Sequence, residues 1–406
     1  MRTLIRDAQI FDGTGTASRR GSALVDGNQI TRVGFGEDAL AGEDADTIID
    51  AGGRTLMPGL VEAHAHLTWA SSVEKIYHQF ILPPEELKEA AWRNARILLD
   101  HGFTSAYSAG ALGDGIEVEL ARAIEAGETP GPRLVPSTLE RSPEGAEGVE
   151  TGDVFNGRGP DAIRKFVAYC EEQGIGSLKL VVSGEDALKP GTAQHVHYTE
   201  EEMEAAGEAA RDAGLWIATH AYYPEAIRLA LKAGARIIYH ASYADQAAAD
   251  AMVAAKDATF YAPSPGVSIA ALEATPPPHI DMSHMKASAA ERIKRESKLV
   301  PELKARGVRI LIGGDYGFPF NPNGRNARDL QIFVDHFGYT PAEALTAATK
   351  LGGELMDLPV GQVKEGYLAD LLLVDGDPTE DVAILQDKNR LSMIMKDGAL
   401  YKAPAA

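Results

Sequence analysis

Four histidines, a lysine and an aspartate each fall at the end of a short apolar run in this sequence, and side chains of these types could together bind metal. His64 and His66 lie in T-L-M-P-G-L-V-E-A-H-A-H-L, where the two-residue period of an extended chain puts both imidazoles on one side. Two imidazoles so spaced can chelate one ion. Lys179 follows in S-L-K-L-V-V-S, His220 in W-I-A-T-H-A, His240 in R-I-I-Y-H-A and Asp315 in R-I-L-I-G-G-D. A lone histidine at a strand end is usually structural, but an ordered series of such positions is hard to obtain that way.

The elements that must position these groups alternate between strand-like runs and amphipathic helices from about residue 60 to 350, the pattern of parallel βα units. Eight runs read as strands, beginning at Gly59, Thr104, Arg133, Ser177, Trp216, Arg236, Thr259 and Arg309. Helices are expected over 84–101, 116–126, 161–173, 199–213, 224–233, 245–256 and 288–306, with capping-box spacing at Thr199/Glu202 and Ser288/Glu291. The expected fold class is α/β, a (β/α)8 TIM barrel over residues 58–359, which gathers its catalytic groups at the carboxyl ends of the strands. The six candidates end strands 1, 4, 5, 6 and 8, and closure would make strands 1 and 8 neighbours. Residues 1–57 and 360–406 carry short strands with D-G and G-N turns. Each piece is short for a domain of its own, so both chain ends are expected to pair into one small β-sandwich. The Pro-rich stretch 274–285 is the candidate for a mobile loop over the barrel mouth.

Composition excludes several functions. With 59 acidic against 39 basic side chains, the net charge of −20 should repel nucleic acid and anionic membranes, so a small-molecule substrate is expected instead. No apolar run approaches the roughly 18 residues of a membrane span, and Asp7 interrupts any signal-peptide core near the start. Cys170 is the single cysteine, which precludes an intramolecular disulfide and fits a cytoplasmic location. A homo-oligomer is the base-rate expectation.

Neutral imidazole and carboxylate suit zinc, with cobalt, manganese and iron also open, and thiolate sites are excluded by the shortage of cysteine. Four histidines and one aspartate exceed what one catalytic ion needs, so two divalent ions are expected. A second ion needs a bridging anion, which Lys179 can supply only as a CO2-derived carbamate, and burial beside cations would lower its pKa enough for that.

The segment P-G-L-V-E-A-H-A-H-L resembles the strand-1 motif of the amidohydrolase superfamily. T-H-A, Y-H-A and G-G-D resemble its strand-5, strand-6 and strand-8 positions, and G-Q-V-K-E-G-Y-L-A-D-L-L-L-V-D its return to a small β-domain. The resemblance covers nearly the whole chain. It implies that His64, His66 and Asp315 hold one ion, that His220 and His240 hold the other, and that carboxylated Lys179 bridges them. I-R-K-F-V followed by L-K-L-V-V-S-G is similar to the group of imidazolonepropionase-like enzymes, Xaa-Pro dipeptidases and basic-residue carboxypeptidases. Y-H-A-S-Y-A-D and G-G-D-Y-G-F with N-A-R-D-L are similar to the phenylurea and molinate hydrolase branch. The chain departs from both: S-T-L-E-R-S-P-E-G stands where the dipeptidases usually carry Gly-Gly-His, and the paired histidines are kept where the herbicide hydrolases depart from them.

Tyr222, just past His220, resembles a tyrosine that binds the substrate carboxylate in related dipeptidases. His197, in the second H-x-H with His195, and Arg325 are further candidates to touch substrate, against the plainer readings of a surface loop and of charge pairing. His78, His101, His279, His284 and His336 default to structural or surface roles. The expected function is hydrolysis of a C–N bond in an amide, urea or carbamate by a metal-bridging hydroxide, with Asp315 taking the proton and passing it to the leaving amine. A dipeptidase or carboxypeptidase is the alternative. A non-catalytic scaffold is the reading of another class, and retention of every ligand type argues against it.

Overall fold

The computed structural model describes residues 1–71, 82–143, 156–186 and 189–404; His78 lies outside them. The chain opens with five short strands, β1 (Arg2–Ile10), β2 (Arg19–Asp26), β3 (Gln29–Phe35), β4 (Thr47–Asp50) and β5 (Thr55–Pro58). The β2–β3 hairpin closes on the pair Asp26–Gln29, and Gly27 at φ +60° supplies the left-handed backbone that so tight a loop needs.

Eight parallel strands follow, one for each expected run: β6 (Leu60–Ala65), β7 (Phe103–Ser108), β8 (Arg133–Val135), β9 (Ser177–Val181), β10 (Trp216–Ala221), β11 (Ile237–His240), β12 (Phe260–Ala262) and β13 (Arg309–Ile310). The final strands are β14 (Leu371–Val374), β15 (Leu391–Lys396) and β16 (Ala399–Lys402). Antiparallel pairing of β14 with β5 joins the two chain ends in one sheet of order β16-β15-β14-β5-β1-β2-β3, with β4 alongside β1. In hydrogen-bond terms the expected sandwich is therefore one continuous sheet, which buries Ile5, Val25, Ile49, Leu373 and Met395 in a single cluster.

The central α/β unit corrects the expectation of one closed hydrogen-bonded barrel. Its strands form a three-stranded sheet, β6-β7-β8, and a five-stranded sheet, β9 to β13. Isolated parallel bridges, Ser137 to Ser177 and Arg141 to Leu180, connect the two at one seam. Pro136, directly after β8, has no N–H to extend that ladder. At the other seam β13 has only two laddered residues, and the chain beyond it meets β6 by close approach. A Cβ on Gly313 would lie 2.8 Å from that of His64.

Alternation along the strands separates two apolar layers. Val61, Ala63, Tyr107, Ala218, Ile237, Tyr239, Phe260 and Leu311 form one cluster among the strands. Leu60, Phe103, Leu178, Leu180, Ile217, Ile238 and Ile310 pack against the helices. The helices match expectation within a few residues, and Thr199 with Glu202 forms the reciprocal capping box. Ser288 does not cap. Its helix begins earlier and spans Ser283–Ala305, with the Asp281 carboxylate taking the Ser283 N–H at 2.8 Å. The helices Pro265–Glu273, Arg328–Phe337, Pro341–Ala348 and Lys350–Met356 were not expected. Among the described residues no helix is long and apolar enough to cross a membrane.

Candidate metal centre

Two departures from regular strand geometry aim the histidines. On β6, Val61 and Ala63 face the inner cluster while Ala65 belongs to the helix-facing layer. A register shift against β7 between Glu62 and Ala65 accounts for the change of parity, and it places His64 and His66 inward. His240 follows the inward Tyr239 directly; its left-handed backbone, φ +74°, turns it out of strand alternation. Asp315 is also left-handed, φ +59°. Such strain collects where a fold must hold a functional group in a fixed direction.

The four imidazoles form a chain of close rings. Centroids lie 5.1 Å apart for His66 and His64, 5.4 Å for His64 and His240, and 4.5 Å for His240 and His220. His64, His66 and Asp315 bring one ligand atom each within 4.8 Å of one another. Lys179, fully buried on β9, donates to the Ala109 carbonyl at 2.6 Å and sits over the Tyr239 ring at 4.6 Å. Its charge is felt by His64, His220, His240 and Asp315.

Backbone carbonyls and a serine set the imidazole tautomers. His66 Nδ1 lies 2.9 Å from the Gly110 carbonyl, which can only accept, so Nδ1 carries hydrogen and Nε2 keeps its lone pair when the ring is neutral. His64 Nδ1 meets Ser264 Oγ at 2.7 Å, while that hydroxyl donates to the Ala262 carbonyl, which leaves His64 Nε2 facing Asp315. His220 Nε2 faces the Gly184 carbonyl at 3.3 Å.

These residues fit divalent ions. Burial lowers the pKa of His64, His220 and His240 and keeps them in the neutral form that ligates metal. Burial would raise the Asp315 carboxyl, but the hydrogen bond and charge of His66 and the charge of Lys179 hold it below the usual carboxylate range. Burial pulls His66 down, but the hydrogen bond and charge of Asp315 together with the charge of Glu140 leave it raised. Asp315 Oδ1 is buried without a well-aligned hydrogen bond, although His66 Nε2 stands 3.1 Å away. Without metal a proton on His66 bridges the two, and with His66 neutral its Nε2 lone pair and the Asp315 oxygen converge as two donors to a cation. Burial also lowers the Lys179 ammonium, as carbamate formation requires.

The other expected residues lie differently. Tyr222 belongs to the cluster, its ring stacked on His240 at 4.6 Å and edge-on to His220 at 4.9 Å. His197 is buried beside β9 with Nδ1 3.1 Å from the Val181 carbonyl. Arg325 is exposed and lines a cavity of about 330 Å3 between the Pro-rich stretch and Pro319–Phe320. Its neighbour Arg328 pairs with Glu273.

Three further side chains escaped the sequence reading. Glu140 Oε1 lies 3.7 Å from His66 Nδ1 and 3.9 Å from Lys179 Nζ. Arg292, buried on the helix Ser283–Ala305, donates to the Tyr222 hydroxyl at 2.5 Å and lies 3.1 Å from Glu185. Arg292 reads in sequence as one more cation of an amphipathic helix, and no local signal distinguishes it.

Residues 55–400 match the amidohydrolase family. Ochratoxinase of Aspergillus niger is 25% identical over 432 aligned positions, covering 99% of this chain and 87% of the relative. A crystal structure of a Xaa-Pro dipeptidase with bound methionine superposes with a TM-score of 0.86 at 26% identity, over 99% of this chain and all of the other. Phenylurea hydrolase B shares the fold, with a TM-score of 0.78 at 21% identity over 98% of this chain and 96% of the other.

Proposed function

We propose that this chain, which belongs to the amidohydrolase family and is a hydrolase acting on C–N bonds, cleaves an amide, urea or carbamate with two divalent ions, zinc being the best match to the donors. The observation that carries the reading is the His64–His66–Asp315 cluster with Lys179, His220 and His240 beside it. His64, His66 and Asp315 would hold one ion and His220 and His240 the other, with Lys179 as a carbamate shared by both. When bound, such ions acidify water and polarise the scissile carbonyl.

The chain's own groups supply the rest. Asp315 is ionised at neutral pH and can take a proton from the attacking water and return it to the leaving nitrogen. The Gly110 carbonyl, Ser264 and the Gly184 carbonyl fix the ring tautomers and so keep the ligating nitrogens aimed. The bridges and close approach between the strand sheets support a barrel-like arrangement. The single cysteine suits a reducing cytoplasm.

Arg292 beside Tyr222 favours a second reading, a dipeptidase or carboxypeptidase, because a buried guanidinium with a hydroxyl can bind a substrate carboxylate. We favour neutral substrates, since Glu185 already pairs with both groups. The test is amine release by metal-reconstituted protein from anilides, phenylureas and carbamates, set beside N-acyl amino acids and dipeptides. No release from any of them at full metal loading would overturn the reading.

A further inference from the structure

Arg292 is 3% exposed, so its charge has to be balanced inside the protein. Among the described residues two acids stand near it. Glu296, four residues along the same helix, has Oε1 on the Ser242 hydroxyl at 2.5 Å, and burial pushes its carboxyl up to about 8, which leaves it mostly uncharged at neutral pH. Glu185, from the loop after β9, is the remaining partner. Its Oε1 lies 3.1 Å from Arg292 Nη1, and its Oε2 accepts the Tyr222 hydroxyl at 2.6 Å. With Arg292 Nη1 donating to the Tyr222 oxygen, the three groups close a triangle against the ring of His240. A second contact fastens the same loop to the same helix, His284 Nε2 to the Asp186 carbonyl at 2.8 Å.

A guanidinium and a phenol converging beside a hydrolytic site make a receptor for a carboxylate. Here the carboxylate they hold is the protein's own. We propose that Glu185 is a specificity-determining residue: it occupies the Arg292–Tyr222 seat and thereby excludes substrates that carry a free carboxylate next to the scissile bond, selecting neutral amides, ureas and carbamates. A substrate carboxylate would have to displace Glu185 or lie against it, and like charges in a largely buried site repel strongly. A neutral substrate meets no such cost. The Glu185 side chain is 18% exposed, so part of it stays open to solvent while it holds Arg292. This inference rests on the amide-hydrolase reading above.

The experiment uses a matched pair, N-acetyl-L-phenylalanine and N-acetylphenethylamine, which differ only in the carboxylate. In Glu185→Gln the ratio of kcat/KM for the acid over the neutral amide should rise at least about tenfold, a change of about 1.4 kcal/mol, while Glu185→Asp, which keeps the charge, should stay near wild type. Calorimetric binding of N-acetyl-L-phenylalanine to metal-free protein should tighten by about the same factor in Glu185→Gln, and the gain should vanish on adding Arg292→Gln. This arm decides the role of Glu185 even if neither amide is turned over, an outcome that would count against the amide reading alone. Should Glu185→Gln fail to fold, Arg292→Gln in the wild-type background decides. With the seat already filled, acid binding should change by less than about threefold, and a larger loss would show the seat open to substrate and overturn the proposal. An unchanged ratio and an unchanged Kd in folded Glu185→Gln would overturn it as well.

Discussion

His66 Nε2 and Asp315 Oδ1 stand 3.1 Å apart, so the chain just past the first strand of the central unit meets the chain past the last although no ladder joins those strands. The lone pair of a neutral His66 and the Asp315 carboxylate both face that point, and both gain from a cation there. The strongest expectations about this protein follow from that pair and its neighbours.

Metal content should approach about two equivalents per chain after reconstitution with zinc and bicarbonate. Elemental analysis of the desalted protein measures it. Lys179→Ala should lower the value, since the residue proposed to serve both ions is gone; a wild-type value near one would leave only the His64–His66–Asp315 group in use.

Asp315→Asn should keep the fold and most of the metal yet lose roughly 10² to 10⁴ in kcat, the range for removing a general acid/base. Steady-state kinetics at saturating metal would tell. Turnover close to wild type would reduce Asp315 to a replaceable ligand.

Tyr222→Phe separates the two substrate readings. For a neutral anilide we expect kcat/KM to stay within about threefold, because the lost hydroxyl touches Arg292 and Glu185 rather than substrate. If the protein were a peptidase, an N-acyl amino acid would lose a hydrogen bond to a charged group, worth roughly 1.5 to 3 kcal/mol in KM. A hundredfold preference for the acid, about 2.7 kcal/mol, abolished in Tyr222→Phe, would move the function to that reading.

Glu296 makes stability depend on pH in a definite direction. Burial raises its folded carboxyl to about 8 from an ordinary 4.5, so the folded state binds the extra proton between those values. Its contribution is therefore full below the unfolded pKa and is lost as pH climbs through the folded one. Melting wild type and Glu296→Gln in parallel at pH 5, 6.5 and 8 should show the gap shifting toward the variant as pH rises. A constant gap would mean that Glu296 is ionised in the folded protein throughout.

The chemistry of this protein was legible locally. Each ligand candidate closes an apolar run whose two-residue period and flanking helix signals can be read within a short window, and the order of the runs along the chain does the rest. Which way those ligands point was not legible. His64 and His66 face inward through a register shift against β7, a partner distant in sequence, and His240 through a left-handed residue that strand alternation does not announce. Closure was over-read for a related reason, since eight strand signals count strands but carry no information about the seams, where Pro136 and the Gly313 approach replace a ladder. Arg292, Glu185 and Glu140 acquire meaning only in three dimensions. A charge on a helix or loop has no local periodicity that marks it as buried, and it becomes part of a site when tertiary packing sets it against a partner and removes the water that would otherwise screen them.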